Sequence, residues 1–581
     1  MSILGKKIKK KILNIFIKMD ANLEGSNPKL QTIKYVNVLP ENKVGNYKEL
    51  NRVDFKPSPS TIPYFDGKQS YLHVEVQSDC SFAQGNSANP PTAAPPVCFP
   101  AHIGANALIN RCLVRSSDNG VVLEDIEAYN MLNGIKNAYT NDSDVFKTLG
   151  RITGVAGRTP CEANQGIDNL AVNYFLPNGE NATGNLVTGG GTSVEAQFAL
   201  PIETGLFSAF SGQHHAVPNL DVPIHLQFFL EKANVAIQVM SSRFHRNVTI
   251  NGTACVEEVY QSPLTDHAAV KAGTEITLDT SVCETDLVVN DDAYVSNMCA
   301  FRVGQMLTDG TDHRVITAVE MNTGAGNNQI KITTDIAFSA GDGAINVKLA
   351  DITRAYTINK IELKLLTTIP DPSTMKMIRS QMARGVSFSS VQLYKLSTAS
   401  QLVNSVIEIP EALTRVMSLL AVPVQQDNLE SKDIDNSYVY CRPDSNLPGG
   451  ANNNNTTYQW QIQNTLIPNL SVETKGATNV KSDNSIYFNQ VVMALRHLVD
   501  VKALADNPLC NKTTDVDIEL PFFYPVSLSP VGQSFNIIDS APQLRINNSG
   551  TGADITAKLY HVFAVHTRIM KSSEMGAEIQ F

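Results

Sequence analysis

The chain has 581 residues, with 46 Lys and Arg against 56 Asp and Glu, for a net charge of −10. Charged residues are 18% and hydrophobic residues 43%, which excludes a disordered chain. No run of about 18 apolar residues occurs, which excludes a spanning helix. The 51 Asn, 35 Gly and 28 Pro make the chain dense in turn formers and point to many short strands.

The charge is uneven. Lys6, Lys7, Lys9, Lys10, Lys11 and Lys18 all precede the first acid, Asp20. Without them, 40 Lys and Arg face 56 acids, a body of −16. Such a body does not suit wrapping nucleic acid, which needs clustered Lys and Arg. On a helical wheel Leu4, Ile8, Ile12, Ile15, Phe16 and Met19 fall opposite the lysines, with Leu13 and Ile17 spoiling the polar face. The apolar stretch is too short for a signal peptide, and no small-residue cleavage site follows. The head therefore reads as a basic amphipathic arm for a membrane surface or a partner. Residues 20–60, with Pro28, Pro40, Pro57 and Pro59, read as an extended linker, so 1–60 form one N-terminal arm.

Beyond residue 60 the pattern is strand-like. Tyr71–Gln77 alternates at period two, and Ile103–Val114 is a second apolar candidate. The spacing of Leu123, Ile126, Tyr129 and Leu132 predicts a helix over 123–135. Residues 150–200 read as a long surface loop, and Val222–Leu230 as a strand. Residues 241–350 hold short strands (Phe301–Leu307, Val315–Met321, Gln329–Thr334) split by Gly-rich turns, which suggests a small all-β insertion. Tyr356–Leu366 returns to near-perfect alternation.

A helix follows, with Asp371 as its N-cap, Pro372 at its first position and Gly385 ending it. Strands resume at Ser387–Tyr394, Leu402–Ile409 and Val416–Val424. Asn452–Asn455 reads as a surface turn. Ser485–Leu504 reads as a helix with Ile486, Val491, Leu495 and Leu498 as its stripe. Pro521–Ser527, Phe535–Ile538, Gln543–Ile546 and Ile555–Ile569 close the chain as strands. The two halves share one plan: several strands, with a helix in one long connection. The expectation is an all-β protein of two tandem eight-stranded jelly rolls, with a few short helices and a β-rich insertion. The first would span 61–375, carrying the 241–350 insertion before its last strand, and the second 376–581.

Five segments carry a resemblance: Asn119–Asn130, Val222–Leu230, Phe301–Leu307, the strand-to-helix passage Ile358–Met377, and Tyr458–Asn469. In this order the chain resembles the major capsid proteins of polinton-like viruses and virophages. The resemblance implies a double jelly roll that trimerises into pseudo-hexagonal capsomers. These would tile an icosahedral shell around double-stranded DNA and meet neighbouring capsomers and penton or minor capsid proteins in the virion. The Lys-rich head has no match in it. Its inner-face role, through Lys6, Lys7, Ile8, Lys9, Lys10, Lys11, Ile12, Phe16 and Lys18, is read from the residues alone, with an inner membrane, packaged DNA or an acidic minor protein as partner.

Catalytic patterns are missing: Gly189–Gly191 has no following lysine for a phosphate, and no Gly-x-Ser-x-Gly elbow occurs. His214-His215 lacks helical metal spacing. Asp291-Asp292 and Asp515, Asp517 and Glu519 lack a calcium-loop frame. No cofactor or metal is expected. The nine cysteines are odd in number and without a Cys-x-x-Cys, which reads as buried free thiols. Two alternatives stay open: a viral fibre or receptor-binding β protein, and a β-sandwich carbohydrate-active enzyme. The latter would need exposed aromatics, and the chain has one Trp, Trp460, best placed in a core or subunit contact.

Overall fold

The structure, a computed structural model, describes residues 30–42, 45–82, 89–91, 95, 97–100, 103–140, 152–155, 196–207, 216–239, 242–250, 253–261, 264, 266–278, 301, 303–323, 329–397, 404–409, 413–425, 456–474, 485–499, 523–529, 536–537, 541–548, 558–573 and 576–580. In chain order the first half gives β1 (Leu30–Val38), β2 (Arg52–Phe55), β3 (Tyr64–Ser78), β4 (Ile109–Ser116), β5 (Val122–Glu127), α1 (Tyr129–Thr140), β6 (Ala196–Pro201) and β7 (Ile224–Leu230). An insertion follows with a hairpin, Ser242–Ile250 and Thr253–Gln261. After it come β8 (His267–Ala272), β9 (Glu275–Leu278), β10 (Met306–Thr308), β11 (His313–Thr323), β12 (Gln329–Thr334) and β13 (Gly343–Leu349). The chain then returns as β14 (Tyr356–Pro370) and α2 (Pro372–Arg384).

The second half gives β15 (Val386–Ser397), β16 (Asn404–Glu408), β17 (Val416–Gln425), β18 (Thr456–Ile462), β19 (Thr465–Thr474), α3 (Ser485–Leu495), β20 (Tyr524–Ser527), β21 (Gln543–Asn548), β22 (Lys558–Ser573) and β23 (Gly576–Gln580).

The sheet orders decide the architecture. The first half pairs β1-β14-β3-β6 in one sheet and β2-β7-β4-β5 in the other. The second pairs β15-β22-β17-β20 and β16-β21-β18-β19, with β23 added alongside β22. Numbered within each half, both read 1-8-3-6 and 2-7-4-5. That is the eight-stranded jelly roll, twice over. α1 and α3 occupy the same place, between the fifth and sixth strands of each roll. The expected all-β double jelly roll is present.

Period two explains the inner faces. In β3, Leu72, Val74 and Val76 point to the core while Tyr71, His73 and Glu75 point out. In β22, Tyr560–His566 is buried on both faces, around the apolar run Val562–Val565. One continuous hydrophobic cluster runs through both rolls and the insertion. β8-β9-β12-β11-β10-β13 close into a six-stranded barrel lined by Ile276, Leu278, Ile330, Ile332, Val347 and Leu349. α2 has the expected ends: the Asp371 carboxylate accepts from the Thr374 amide at 2.8 Å, and Gly385 caps it at φ 106°.

Several expectations need correction. The linker assigned to 20–60 supplies β1 and β2, the first two strands of the first roll, paired in register with β14 and β7. They were obscured because β1 is an edge strand with Ile33 and Tyr35 exposed, so its apolar residues do not mark one buried face. Residues 123–127, expected as helix, form β5. The helix begins only at Tyr129, after Ala128 breaks the strand at φ 47°. Ile103–Val114 is a 3₁₀ turn at Gly104–Leu108 followed by β4. The Phe301–Leu307 strand shortens to β10, and Ile486, expected in the α3 stripe, is 62% exposed while Tyr487 is buried. The Asn452–Asn455 turn lies outside the described residues.

Candidate assembly surfaces

The two rolls meet along a seam built on β5 of the first and β15 and β22 of the second. Arg568 on β22 donates from Nη1 to the Leu123 carbonyl at 2.7 Å. Beside it Glu124 is fully buried, and its carboxylate accepts from the Gly205 and Leu206 amides at 3.0 and 2.7 Å. Burial pushes the Glu124 carboxyl up, while the two amides and the Arg568 charge pull it back. Burial likewise pulls Arg568 down, against the neighbouring Glu124. At the rim of the seam Lys395 pairs with Glu127 at 3.2 Å. At its far end Tyr139 on α1 packs edge-to-face on Phe523 at 5.6 Å between ring centres. These contacts fix two sandwiches side by side as one block.

The outer sheet faces of the first roll carry interleaved charge. On β14 and β3 the Lys360 ammonium lies 3.6 Å from Glu75 and 3.5 Å from Glu362, and Lys364 lies 3.6 Å from Glu362. His73 sits 3.9 Å from Glu75; burial and then Lys364 hold its pKa down, against Glu75. Next to this network β1 presents Ile33 and Tyr35, with Tyr35 edge-on to Tyr71 at 6.1 Å. On the other sheet Arg111 makes a two-pronged contact with Asp125 and lies over the Phe229 ring at 5.4 Å. Interleaved charges of this kind on exposed sheet faces suit polar side-to-side contact with other subunits.

At one end the chain enters and crosses between rolls. Leu30, the first described residue, pairs with Pro370, and α2 starts two residues later. Arg379 of α2 meets Asp221 at 2.9 Å, and Asp221 also accepts from the Tyr64 hydroxyl at 2.9 Å. Ser572 of the second roll donates to the Asp221 carbonyl, and Asn119 of the first to the Ala577 carbonyl at 2.7 Å.

The site residues expected from sequence, Lys6, Lys7, Ile8, Lys9, Lys10, Lys11, Ile12, Phe16 and Lys18, lie outside the described residues, as do His214-His215, Asp291-Asp292 and Asp515–Glu519. Among the described residues no group of three or more His, Cys, Asp or Glu is placed to hold a metal. Trp460 is fully buried in the second roll, in register with Ile467 and Leu544, so it cannot stack a sugar from solvent. The seam residues Glu124, Gly205 and Arg568 carry no sequence signal, because their partners lie far apart in the chain, 81 residues between Glu124 and Gly205 and 445 between Leu123 and Arg568.

No protein-family model matches the chain, and no curated protein does. Solved structures do resemble it along nearly its whole length. The Faustovirus major capsid protein covers 98% of this chain and 98% of its own, at 9% identity and a TM-score of 0.47. The cryo-EM structure of the Sputnik virophage covers 97% and 92%, at 12% identity and 0.39. The mavirus major capsid protein covers 97% and 94%, at 8% identity and 0.35.

Proposed function

We propose that this chain is a viral major capsid protein that trimerises into pseudo-hexagonal capsomers tiling an icosahedral shell around double-stranded DNA. The observation that carries the reading is the repeated 1-8-3-6 and 2-7-4-5 sheet plan, locked side by side by the seam. Two equivalent sandwiches in a fixed relation give six per trimer, which is what a hexagonal layer needs. A monomer with one sandwich would require six chains for the same symmetry. The outer charge networks supply polar contact with neighbouring capsomers and with penton or minor proteins. The role is structural, with no reaction assigned. The Lys-rich head faces the shell interior in this reading, where anionic material lies.

The test is the oligomeric state. Light scattering on the chain lacking residues 1–19 should give about three times 63.2 kDa. Negative-stain images should show compact three-fold particles with a six-cornered outline. Stable monomers at micromolar concentration, or thin fibres, would overturn the reading.

A further inference from the structure

The seam joins the fifth strand of one roll to the first strand of the other. β5 of the first roll meets β15 and β22 of the second through Arg568 on Leu123, Lys395 on Glu127 and the close approach of Gly205 to Ser389. With the second roll against it, even Glu124 of β5 is buried. β5 and β15 belong to separate sheets, so side chains and not a shared ladder make this contact. The strands left over are β19, the fifth of the second roll, and β1, the first of the first roll. Each ends its sheet and pairs on one side only among the described residues, β19 with β18 and β1 with β14.

Both of these edges carry apolar side chains that the chain itself leaves in water. On and just after β1, Ile33 is 40% exposed, and Tyr35 and Leu39 are each 54% exposed. On β19, Leu470 is 82% exposed, more than any other large apolar side chain among the described residues, and Leu466 and Ile467 are half-buried beside it. Single exposed apolar residues are ordinary, but two groups on the two edges that the seam leaves free mark a contact. β19 also carries Pro468, which has no amide to offer a further strand. A side-chain contact like the seam fits that edge, and strand addition does not.

We infer that the β1 edge of one chain packs against the β19 edge of a second copy, in an interface that repeats the seam between chains. The inference rests on the capsomer reading and names the surface through which the ring closes. The two edges differ, so the contact is heterologous: it does not stop at two chains but continues until the ring closes. Around a closed ring the seams within chains alternate with β1–β19 contacts between chains. A contact of β1 with β1 would be isologous and would stop at two chains.

The experiment is light scattering over a dilution series of the full-length chain carrying Tyr35→Asp or Leu470→Asp. Val270→Asp on the barrel, where the side chain is 52% exposed, is the control. A charge placed at the centre of an apolar contact should weaken association on the order of 30-fold or more. Both edge variants should dissociate at concentrations higher by at least that factor, with wild-type circular dichroism spectra, and Val270→Asp should not. Tyr35→Ser and Leu470→Ser, which add no charge, should shift dissociation less and in the same direction. Mixing the two Asp variants tests the head-to-tail geometry. Each Tyr35→Asp chain keeps a sound β19 edge and each Leu470→Asp chain a sound β1 edge, so the mixture should form dimers that cannot close. A defect in one variant alone, or a mixture that forms no dimer, would overturn the inference. Wild-type trimers indifferent to both variants sink the β1–β19 contact alone, whereas a wild-type chain that stays monomeric sinks the capsomer reading.

Discussion

Gly205 lies so close to Ser389 that a β-carbon on it would fall 1.6 Å from the Ser389 carbonyl oxygen. Gly205 belongs to the first roll and Ser389 to β15 of the second, so the missing side chain is what lets the rolls meet. The same glycine donates its amide to Glu124. Gly205→Ala cannot be absorbed by a rotamer change, because the clash is with backbone. It should open the seam, with loss of several kcal/mol. The check is thermal unfolding followed by circular dichroism, where a second, lower transition should separate the two rolls. A single unchanged transition would show the seam to be pliable.

The two buried charges at the seam give a second prediction. Arg568→Met removes the cation whose charge pulls the Glu124 pKa down and the donor to Leu123, leaving a buried carboxyl without that charge. Leaving one such buried charge alone costs up to about 3–5 kcal/mol, whereas removing both charges is far milder. Arg568→Met with Glu124→Gln should therefore recover part of the loss, since the Gln oxygen still accepts from one of the Gly205 and Leu206 amides, while its NH2 group faces the other. Urea unfolding of the four chains in a double-mutant cycle measures the coupling. Simple additivity would mean that the two groups do not sense each other.

Acid should destabilise the second roll. His561 and His566 on β22 are buried, and none of their ring nitrogens has a hydrogen-bond partner among the described residues. Burial, helped by Lys395 for His561 and Arg568 for His566, lowers their pKa values to about 4 and about 3. Both folded values lie below the unfolded 6.5, so their contribution is fully present above pH 6.5. It falls as the pH drops through the window toward 4 and 3, because the unfolded chain takes up the protons first. Each pH unit in that window costs about 1.4 kcal/mol per histidine. Glu124 has its pKa raised and acts in the opposite sense. Melting temperatures from pH 7 to pH 4.5 should fall steeply, and His566→Leu should flatten the slope. An equally steep fall in that variant would assign the effect elsewhere.

The long strands were legible because one physical signal dominates each. β14 alternates over Tyr356–Leu366, and β22 carries the apolar run Val562–Val565 that a doubly buried strand needs. The ends of α2 were legible because a cap, an N-terminal proline and a terminal glycine are local chemistry. β5 was misread because Leu123, Ile126 and Tyr129 match a helical period by coincidence. What separates strand from helix is the positive φ of Ala128, a residue that carries no such preference. β1 is hidden in the sequence because its apolar residues are exposed or half-buried at a sheet edge, and β2 because it is only four residues long and carries a buried Asp54 among neighbouring prolines. The seam was invisible for a different reason: Gly205, Glu124 and Arg568 matter only through contacts that the fold creates.

Thiol chemistry should follow burial. Cys80 and Cys112 are buried thiols outside any disulfide, and burial pushes both up in pKa, so little thiolate is present at neutral pH. In native protein without reductant these two should stay unlabelled by a thiol reagent over minutes, and both should react in denaturant. Mass spectrometry of the labelled peptides separates them from the other seven cysteines. Rapid labelling of Cys112 in native protein would mean that β4 opens readily.

The barrel should be separable from the rolls. Its first strand begins at His267, which pairs with Val347 near the end of its last strand, so entry and exit are neighbours across one strand pair. Paired residues lie about 5 Å apart, a gap that a short Gly-Ser link can span. The barrel closes on itself and so leaves no edge that the rolls must cover. Its strands carry most of its core residues, with Phe301 and Phe338 on its connections. Replacing residues 267–349 by such a link should leave both jelly rolls folded and the oligomer intact, since β7 and β14 keep their places in the two sheets. The shortened chain should show a melting transition within a few degrees of the wild type and three chains by light scattering. Contacts such as Asn89 to Asp335 at 2.7 Å tie the barrel to the first roll, and their loss should cost only about 1 kcal/mol each. Aggregation of the shortened chain would instead mean that the barrel shields apolar surface of the first roll. Expressing 264–350 alone decides between these outcomes: a cooperatively melting barrel supports an autonomous module, and an unfolded one makes it part of the first roll's core.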